Sequence, residues 1–273
     1  MKESFSVANL EVRSLFYFRI LNKYIENKKS KILICGAGNL DKTIFEGSGF
    51  TNLTFSNLDA RLEGGNFSPF NWIYANSEDL PFKNNEFDYV VEHASVHHSS
   101  IPHKFVTEMY RVAKMGVLVF ENRDSVLLRL SEYFNITQKY ELSAVFYNDC
   151  KFGGVNNSNI PNYVYRWNER EVEKLIRSYA PHTEPDIIFE YGVATNSVKI
   201  LNRGIKIKSL ILSLINPFYV LITKIFKKQG NLFCFFIRKE KIRENKHNWI
   251  QFINDQFVLD ENIIRNKYKN RTK

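Results

Sequence analysis

The turn Gly36-Ala37-Gly38 directly follows the apolar run Lys31-Ile32-Leu33-Ile34-Cys35. Glycine has no Cβ, so backbone there can approach a ligand closely. About 20 residues on, Asn57 and Asp59 flank Leu58 at the expected end of a second strand, where a ribose-binding acid belongs. A carboxylate accepts hydrogen bonds from both ribose hydroxyls, an amide only in part. The neighbouring His97 and His98 offer a base near neutrality for an acceptor hydroxyl. Each signal also has a plainer reading. Gly-X-Gly is a common strand-to-helix turn, Asn57-Leu58-Asp59 suits a solvated turn, and a histidine pair can cap or pack a helix. No third ligand with zinc spacing accompanies the pair, and His103 falls at the next helix start, so no metal is expected.

The pattern of elements decides how such residues are held. Residues Leu10 to Ile25 carry an amphipathic stripe, and short apolar runs at Ile32–Cys35, Leu53–Leu58, Asn71–Tyr74, Glu86–Glu92 and Gly116–Glu121 read as strands. Helices are expected over Leu40–Glu46, Lys104–Lys114 and Glu169–Tyr179, the last opened by Asn168 with Glu171 as capping-box partner. Runs at Ile187–Tyr191 and Asn231–Arg238 complete the set as a terminal antiparallel pair. Alternating strands and helices predict an α/β fold: a doubly wound, mostly parallel seven-stranded sheet with an antiparallel terminal hairpin, a helical lid and a C-terminal insertion. Such sheets bind ligands beyond the carboxyl ends of their strands.

An ordered series of motifs narrows the reading. Asn76-Ser77-Glu78-Asp79-Leu80-Pro81-Phe82 is followed by Phe87-Asp88-Tyr89-Val90-Val91, His97-His98 and Glu108-Met109-Tyr110-Arg111-Val112. In this series the sequence resembles the class I, Rossmann-like S-adenosylmethionine-dependent methyltransferases over about residues 30 to 125, more weakly to about 195. The resemblance implies S-adenosylmethionine as cofactor and S-adenosylhomocysteine as product. It implies that Gly36, Ala37 and Gly38 lie under the methionine and ribose, and that Asn57 or Asp59 holds the ribose. Asn76, Ser77 and Glu78 would border the adenine, Glu92 and His93 would face the methionyl part, and His98 matches a histidine frequent in the group. Four positions depart from the family pattern: Ile34 at the usual acid before the glycines, Leu40 at the third glycine, Asn76 at the usual aspartate, and Lys114-Met115-Gly116 in place of Pro-Gly-Gly. These departures motivate an alternative, a catalytically degenerate methyltransferase-like binding or scaffold protein. A dinucleotide oxidoreductase fits less well, since the third glycine is missing and Leu80-Pro81-Phe82 favours methyl transfer.

In-line displacement at a sulfonium depends mainly on holding acceptor, methyl and sulfur in line. His97 and His98 are the expected catalytic pair. The segment from Tyr147 to Trp167 is rich in amide and aromatic side chains, which suit a sugar-like acceptor. Tyr147, Asn148, Asn156, Asn157, Tyr163 and Trp167 are therefore the expected acceptor contacts, within a lid of about residues 125–167. The same segment also reads as an ordinary structured loop.

The chain of 273 residues carries a formal charge of +9. After Leu201, about 16 Lys and Arg face about 5 Asp and Glu, so the basic excess sits in the C-terminal part. Nucleic-acid methylation is disfavoured, because no RNA-binding module accompanies that charge. Expected domains are an N-terminal helix (1–29), the methyltransferase domain (30–240) with an apolar insertion at about 204–228, and a basic tail (241–273), solvated over Arg265 to Lys273. The apolar stretch Leu210–Thr223 is too short to span a bilayer, and Pro217 is expected to break it into two helices. Packing on the sheet, a homodimer contact and peripheral membrane contact between flanking lysines are its three readings. Three distant cysteines and no apolar N-terminal run fit a reducing, cytoplasmic setting, with an outlet at the inner membrane face of a bacterium. The combined expectation is O-methylation of a sugar in surface-polysaccharide biosynthesis.

Overall fold

A computed structural model describes residues 6–62, 64–194, 206–239, 244, 246–254 and 256–269. Residues 1–5, the start of the apolar insertion at 204–205 and the last residues of the basic tail, 270–273, lie outside the described residues.

One sheet holds β1 (Ile32–Cys35), β2 (Leu53–Asn57), β3 (Asn71–Tyr74), β4 (Phe87–His93), β5 (Ala113–Asn122), β6 (Asp186–Gly192) and β7 (Leu232–Arg238). Their order is β3-β2-β1-β4-β5-β7-β6. Strands β1 to β5 pair in parallel, and β7 runs antiparallel to both β5 and β6. This is the mostly parallel seven-stranded sheet read from the sequence. The β1 strand is buried at every residue because helices cover both sheet faces. Alternate side chains then enter opposite cores. Leu33 and Cys35 join the cluster built with α3 (Pro102–Val112) and α6 (Glu169–Tyr179). Ile32 and Ile34 join the cluster built with α1 (Val12–Tyr24) and α2 (Asn39–Gly47). Each fully buried Ile, Leu or Phe contributes about 1.5–3 kcal/mol.

The ordered motifs turn out to be braces for this sheet. Asp88 accepts from the Lys31 backbone N–H at 2.8 Å, which ties the start of β4 to β1. Phe82 packs edge-on against buried Phe87 at 4.8 Å. Glu108 accepts from Leu80 N–H at 2.9 Å, while Arg111 donates to the carbonyls of Leu80 and Phe82 at 2.9 and 2.7 Å. The Leu80-Pro81-Phe82 turn and the helical Glu-Met-Tyr-Arg run are thus one clamp.

Two local expectations need correcting. Asn168 does cap α6, accepting from Glu171 N–H at 3.1 Å. The Glu171 carboxylate, however, does not return to the cap; it reaches Tyr165 and, at 3.1 Å, His103 Nε2. Pro217 does not divide the insertion, which is one helix, α7 (Lys206–Ile225). Pro217 is exposed there, so the carbonyl left without its N–H partner can meet water. Between these elements lie α4 (Val126–Tyr133) and α5 (Leu142–Phe146). In the C-terminal part, β8 (Ile250–Ile253) and β9 (Gln256–Leu259) form a hairpin, and Asp260 caps α8 (Glu261–Tyr268). The basic tail therefore contains regular structure at these residues.

Candidate active site

A cavity of about 300 Å³ opens beyond the carboxyl ends of β1, β2 and β4. Gly36, Asn57, Leu58, Asp59, Asn76 and Ser77 form its strand side. Gly36 has φ +60°, a left-handed conformation that L residues avoid. Its missing Cβ is filled by Ser95, whose Oγ would lie 2.2 Å from a built Cβ. The close approach that demands glycine here is thus made by the chain itself. Asn57 spends its amide on the loop: Nδ2 donates to Ala37 O at 2.8 Å and Oδ1 accepts from Asp59 N–H at 2.9 Å. Asp59 is the acid at this strand end, paired with Arg61 at 2.6 Å. The Arg61 hydrogen bond, acting against the cost of burial, holds the Asp59 carboxyl below its usual range.

Facing this wall, Asn148, Gly153, Gly154, Asn156 and Asn157 form the lid side of the cavity. Two latches join lid and sheet. Arg61 donates to Asn148 Oδ1 at 3.0 Å and stacks over the Phe152 ring at 4.2 Å. Asn156 accepts from Ser100 N–H at 3.1 Å and donates to Ser100 Oγ at 3.0 Å. Arg61, Ala94, Ser95, Ser99, Phe105, Gly153 and Gly154 line the cavity without having been read from the sequence. The Gly153-Gly154 pair was the available signal for a close backbone approach: a Cβ on Gly154 would lie 1.9 Å from Ile160 O.

The two histidines have different fates. His98 stands on the cavity wall, whereas His97 is buried behind it at 5% exposure. His97 Nδ1 lies 2.9 and 2.8 Å from the two oxygens of buried Glu121, and its Nε2 lies 3.2 Å from Glu141. Burial alone would lower the His97 pKa, but the charges and hydrogen bonds of Glu121 and Glu141 overcome it and raise it to about 10. The His97 hydrogen bond leads in holding Glu141 down at about 2. Burial, then the His97 charge, lowers the pKa of His98.

Several expected contacts lie off the cavity. Ala37 is buried, and its N–H donates to Ser56 O at 2.9 Å. Gly38 opens α2, its N–H donating to Asp41 at 2.8 Å. Glu78 turns away from the cavity and accepts from Ser99 Oγ, Ser100 Oγ and Ile101 N–H at 2.6, 2.9 and 3.1 Å. Glu92 is fully buried and accepts from Ser95 and Val96. Burial first, then the Glu121 charge, pushes its carboxyl well up. His93 stacks on Tyr17 at 4.4 Å, and burial followed by the Arg13 charge lowers it to about 4. Tyr147 is 72% exposed and packs on Phe146; Tyr163 pairs with Tyr140. Trp167 is core, fully buried against Phe235. Of the expected acceptor contacts only Asn148, Asn156 and Asn157 reach the cavity. An aromatic side chain in a polar segment can face either way, and here the apolar interior claims Trp167.

Residues 35–120, from the end of β1 through most of β5, match the family model of a methyltransferase domain. Over these residues the chain carries a methyltransferase domain in a Rossmann-like fold. Solved structures share the methyltransferase fold at low identity. A SAM-dependent methyltransferase of Thermotoga maritima matches with TM-score 0.51 and 13% identity, covering 85% of this chain and 91% of that one. An S-adenosylmethionine-dependent methyltransferase of Mesorhizobium loti matches with TM-score 0.51 and 8% identity, covering 86% and 100%. The YcgJ protein of Bacillus subtilis matches with TM-score 0.50 and 16% identity, covering 82% and 96%. No curated protein matches the chain.

The cavity has the size of a small-ligand site. Its volume falls at the lower end of ligand pockets, roughly 300–1,000 Å³. The Asp59 oxygens are engaged by Arg61, so a ligand hydroxyl reaching Asp59 would replace part of that pair. Arg61 is solvent-accessible, and an exchange at an ion pair that solvent reaches costs only about 0–1 kcal/mol. Ile34, at the usual acid position, is fully buried in the α1 and α2 core.

Proposed function

We propose that the chain methylates a hydroxyl of a small polar acceptor, a sugar unit of a bacterial surface glycan. The observation that carries this reading is the lid: Asn148, Asn156 and Asn157 put amide groups on the same cavity as His98. Such groups suit a hydrogen-bonding acceptor better than an apolar one. When bound, S-adenosylmethionine supplies an electrophilic methyl on a sulfonium. Asp59 accepts from the ribose, Gly36 and Leu58 wall the nucleoside, and Asn76 and Ser77 border the adenine. His98 stands on the cavity wall where the acceptor hydroxyl arrives, and His97, sealed between two carboxylates, packs against it from behind. The Asn156 and Arg61 latches exclude water and fix the acceptor.

Calorimetry with S-adenosylmethionine and S-adenosylhomocysteine, followed by labelled-methyl transfer to nucleotide sugars and lipid-linked sugars, tests the reading. Asn156→Ala should cut acceptor turnover at least tenfold with S-adenosylmethionine affinity nearly unchanged. Tyr163→Ala, off the cavity, should leave turnover intact. Transfer to none of these sugars by a chain that binds the donor would overturn the acceptor class.

The α7 helix supports a lipid-carried acceptor. Ile215, Phe218, Leu221, Ile222 and Ile225 are exposed on it, beside Lys224, Lys227 and Lys228. No helix among the described residues is long and apolar enough to cross a membrane. An amphipathic helix with lysines instead lies in an anionic interface. Flotation with anionic vesicles at low salt should carry the chain, and Phe218→Ser with Leu221→Ser should release it. A chain that stays with the soluble fraction but sediments as a dimer favours the alternative use of this face, self-association.

A further inference from the structure

The sequence places His97 beside His98 with no third ligand nearby; the fold brings one from the residue that opens α5. Glu141 Oε2 lies 3.2 Å from His97 Nε2 and 3.4 Å from His98 Nε2. All three donor atoms lie within 4.8 Å of one another. We propose that His97, His98 and Glu141 bind one divalent transition-metal ion, best matched by Zn²⁺, at the wall of the methyltransferase cavity.

Four observations support this site. First, the two separations from Glu141 are close to those within a coordination sphere. Metal–ligand bonds of about 2.0–2.2 Å in tetrahedral array set neighbouring donors about 3.3–3.6 Å apart. Charge-assisted hydrogen bonds are shorter, about 2.7–2.9 Å. The Glu121 contacts to His97, at 2.8 and 2.9 Å, are of that kind, while both Glu141 contacts are longer. Second, the supporting groups are already present. Buried Glu121 takes His97 Nδ1, as a carboxylate does behind a metal-bound imidazole, and so directs Nε2 at the site. The Gly154 backbone hydrogen-bonds His98. Asn162, 2% exposed, donates to His97 O at 3.0 Å and to Glu141 Oε2 at 3.5 Å. Its Oδ1 is buried without a protein partner. Third, the fold gathers two carboxylates, buried Glu121 and half-buried Glu141, on the histidine pair, and one divalent ion carries the charge that matches them. Fourth, two imidazoles and one carboxylate are a donor set of borderline hardness that suits Zn²⁺ and its first-row neighbours.

Three protein ligands leave a fourth position for water or a substrate oxygen. Because His98 lines the cavity, that oxygen is the acceptor hydroxyl, whose proton the ion would make easier to lose. This consequence rests on the hydroxyl-acceptor reading above; the binding of the ion does not.

The test uses the full chain, stripped with chelator and titrated with Zn²⁺ by calorimetry and with Co²⁺ by visible absorption. One ion per chain is expected, with the intense absorption of tetrahedral Co²⁺. His98→Ala and Glu141→Ala should each weaken binding more than 100-fold and abolish the Co²⁺ bands. Glu121→Gln should weaken it about 10–100-fold. Both His98 and Glu141 are partly exposed, so the alanine variants should keep the wild-type circular dichroism. Absence of a stoichiometric ion, or affinity that survives both alanine substitutions, overturns the site. A stoichiometric Co²⁺ site in a chain that methylates no sugar leaves the site standing and refutes only the acceptor.

Discussion

Gly36→Ala probes the cavity loop after β1 with an energy that can be assembled from the structure. At φ +60° an alanine costs about 1–2 kcal/mol in backbone strain. Its Cβ would also sit 2.2 Å from Ser95 Oγ and 2.4 Å from Ser95 Cβ. Overpacking of that kind adds about 1–3 kcal/mol, giving roughly 2–5 kcal/mol in all. Ser95→Gly removes both obstructing atoms and loses the Oγ hydrogen bond to Glu92, at 3.1 Å, for about 1 kcal/mol. The double variant keeps the φ strain but not the clash. Urea unfolding of the wild type, both single variants and the double variant should therefore give a coupling of about 1–3 kcal/mol in favour of the double variant. Calorimetry should show weakened S-adenosylmethionine binding in Gly36→Ala, partly regained in the double variant. Additivity within about 0.5 kcal/mol would refute the claim that Ser95 fills the place of the missing Cβ.

Asp41 gives a pH test. Burial, opposed by the Gly38 N–H and Tyr17 hydroxyl hydrogen bonds, raises its carboxyl from 3.8 to about 6. A raised folded pKa means stability that is present below pH 4 and lost as pH rises through 6, about 3 kcal/mol over that window. Asp41→Asn should match the wild type near pH 4 and exceed it by up to about 3 kcal/mol at pH 7; a difference that does not change with pH refutes the account. Trp167→Ala should cost about 3–5 kcal/mol in chemical denaturation, because a fully buried indole leaves a cavity in the core. At a temperature where that variant is folded its acceptor KM should stay at the wild-type value, and a large KM change with small loss of stability would return Trp167 to the acceptor site.

The sequence by itself determined the sheet and the end of it at which the cavity opens. Apolar runs of strand length alternating with amphipathic helices admit few topologies, and the glycine turn after β1 must lie beyond the strand ends. Asn57, Leu58, Asp59, Asn76 and Ser77 were legible for the same reason: they follow strands directly, so strand length fixes where they emerge. What the tertiary structure decided is which way the remaining side chains face. Glu92 and His93 also end a strand, yet Glu92 turns into the loop after β4 and His93 stacks under α1. The polar aromatic segment offered six acceptor contacts, and packing separated them, taking Trp167 into the core, leaving Tyr147 and Tyr163 outside and keeping three asparagines on the cavity. Composition records that an aromatic ring can serve core or ligand, but only competition for the interior settles which. The histidine pair shows the same limit over a longer distance. Their adjacency is local and readable, whereas Glu121 from β5 and Glu141 from the start of α5 reach them only when the chain is folded. A spacing rule searches near neighbours in the sequence, and these carboxylates are neighbours only in space.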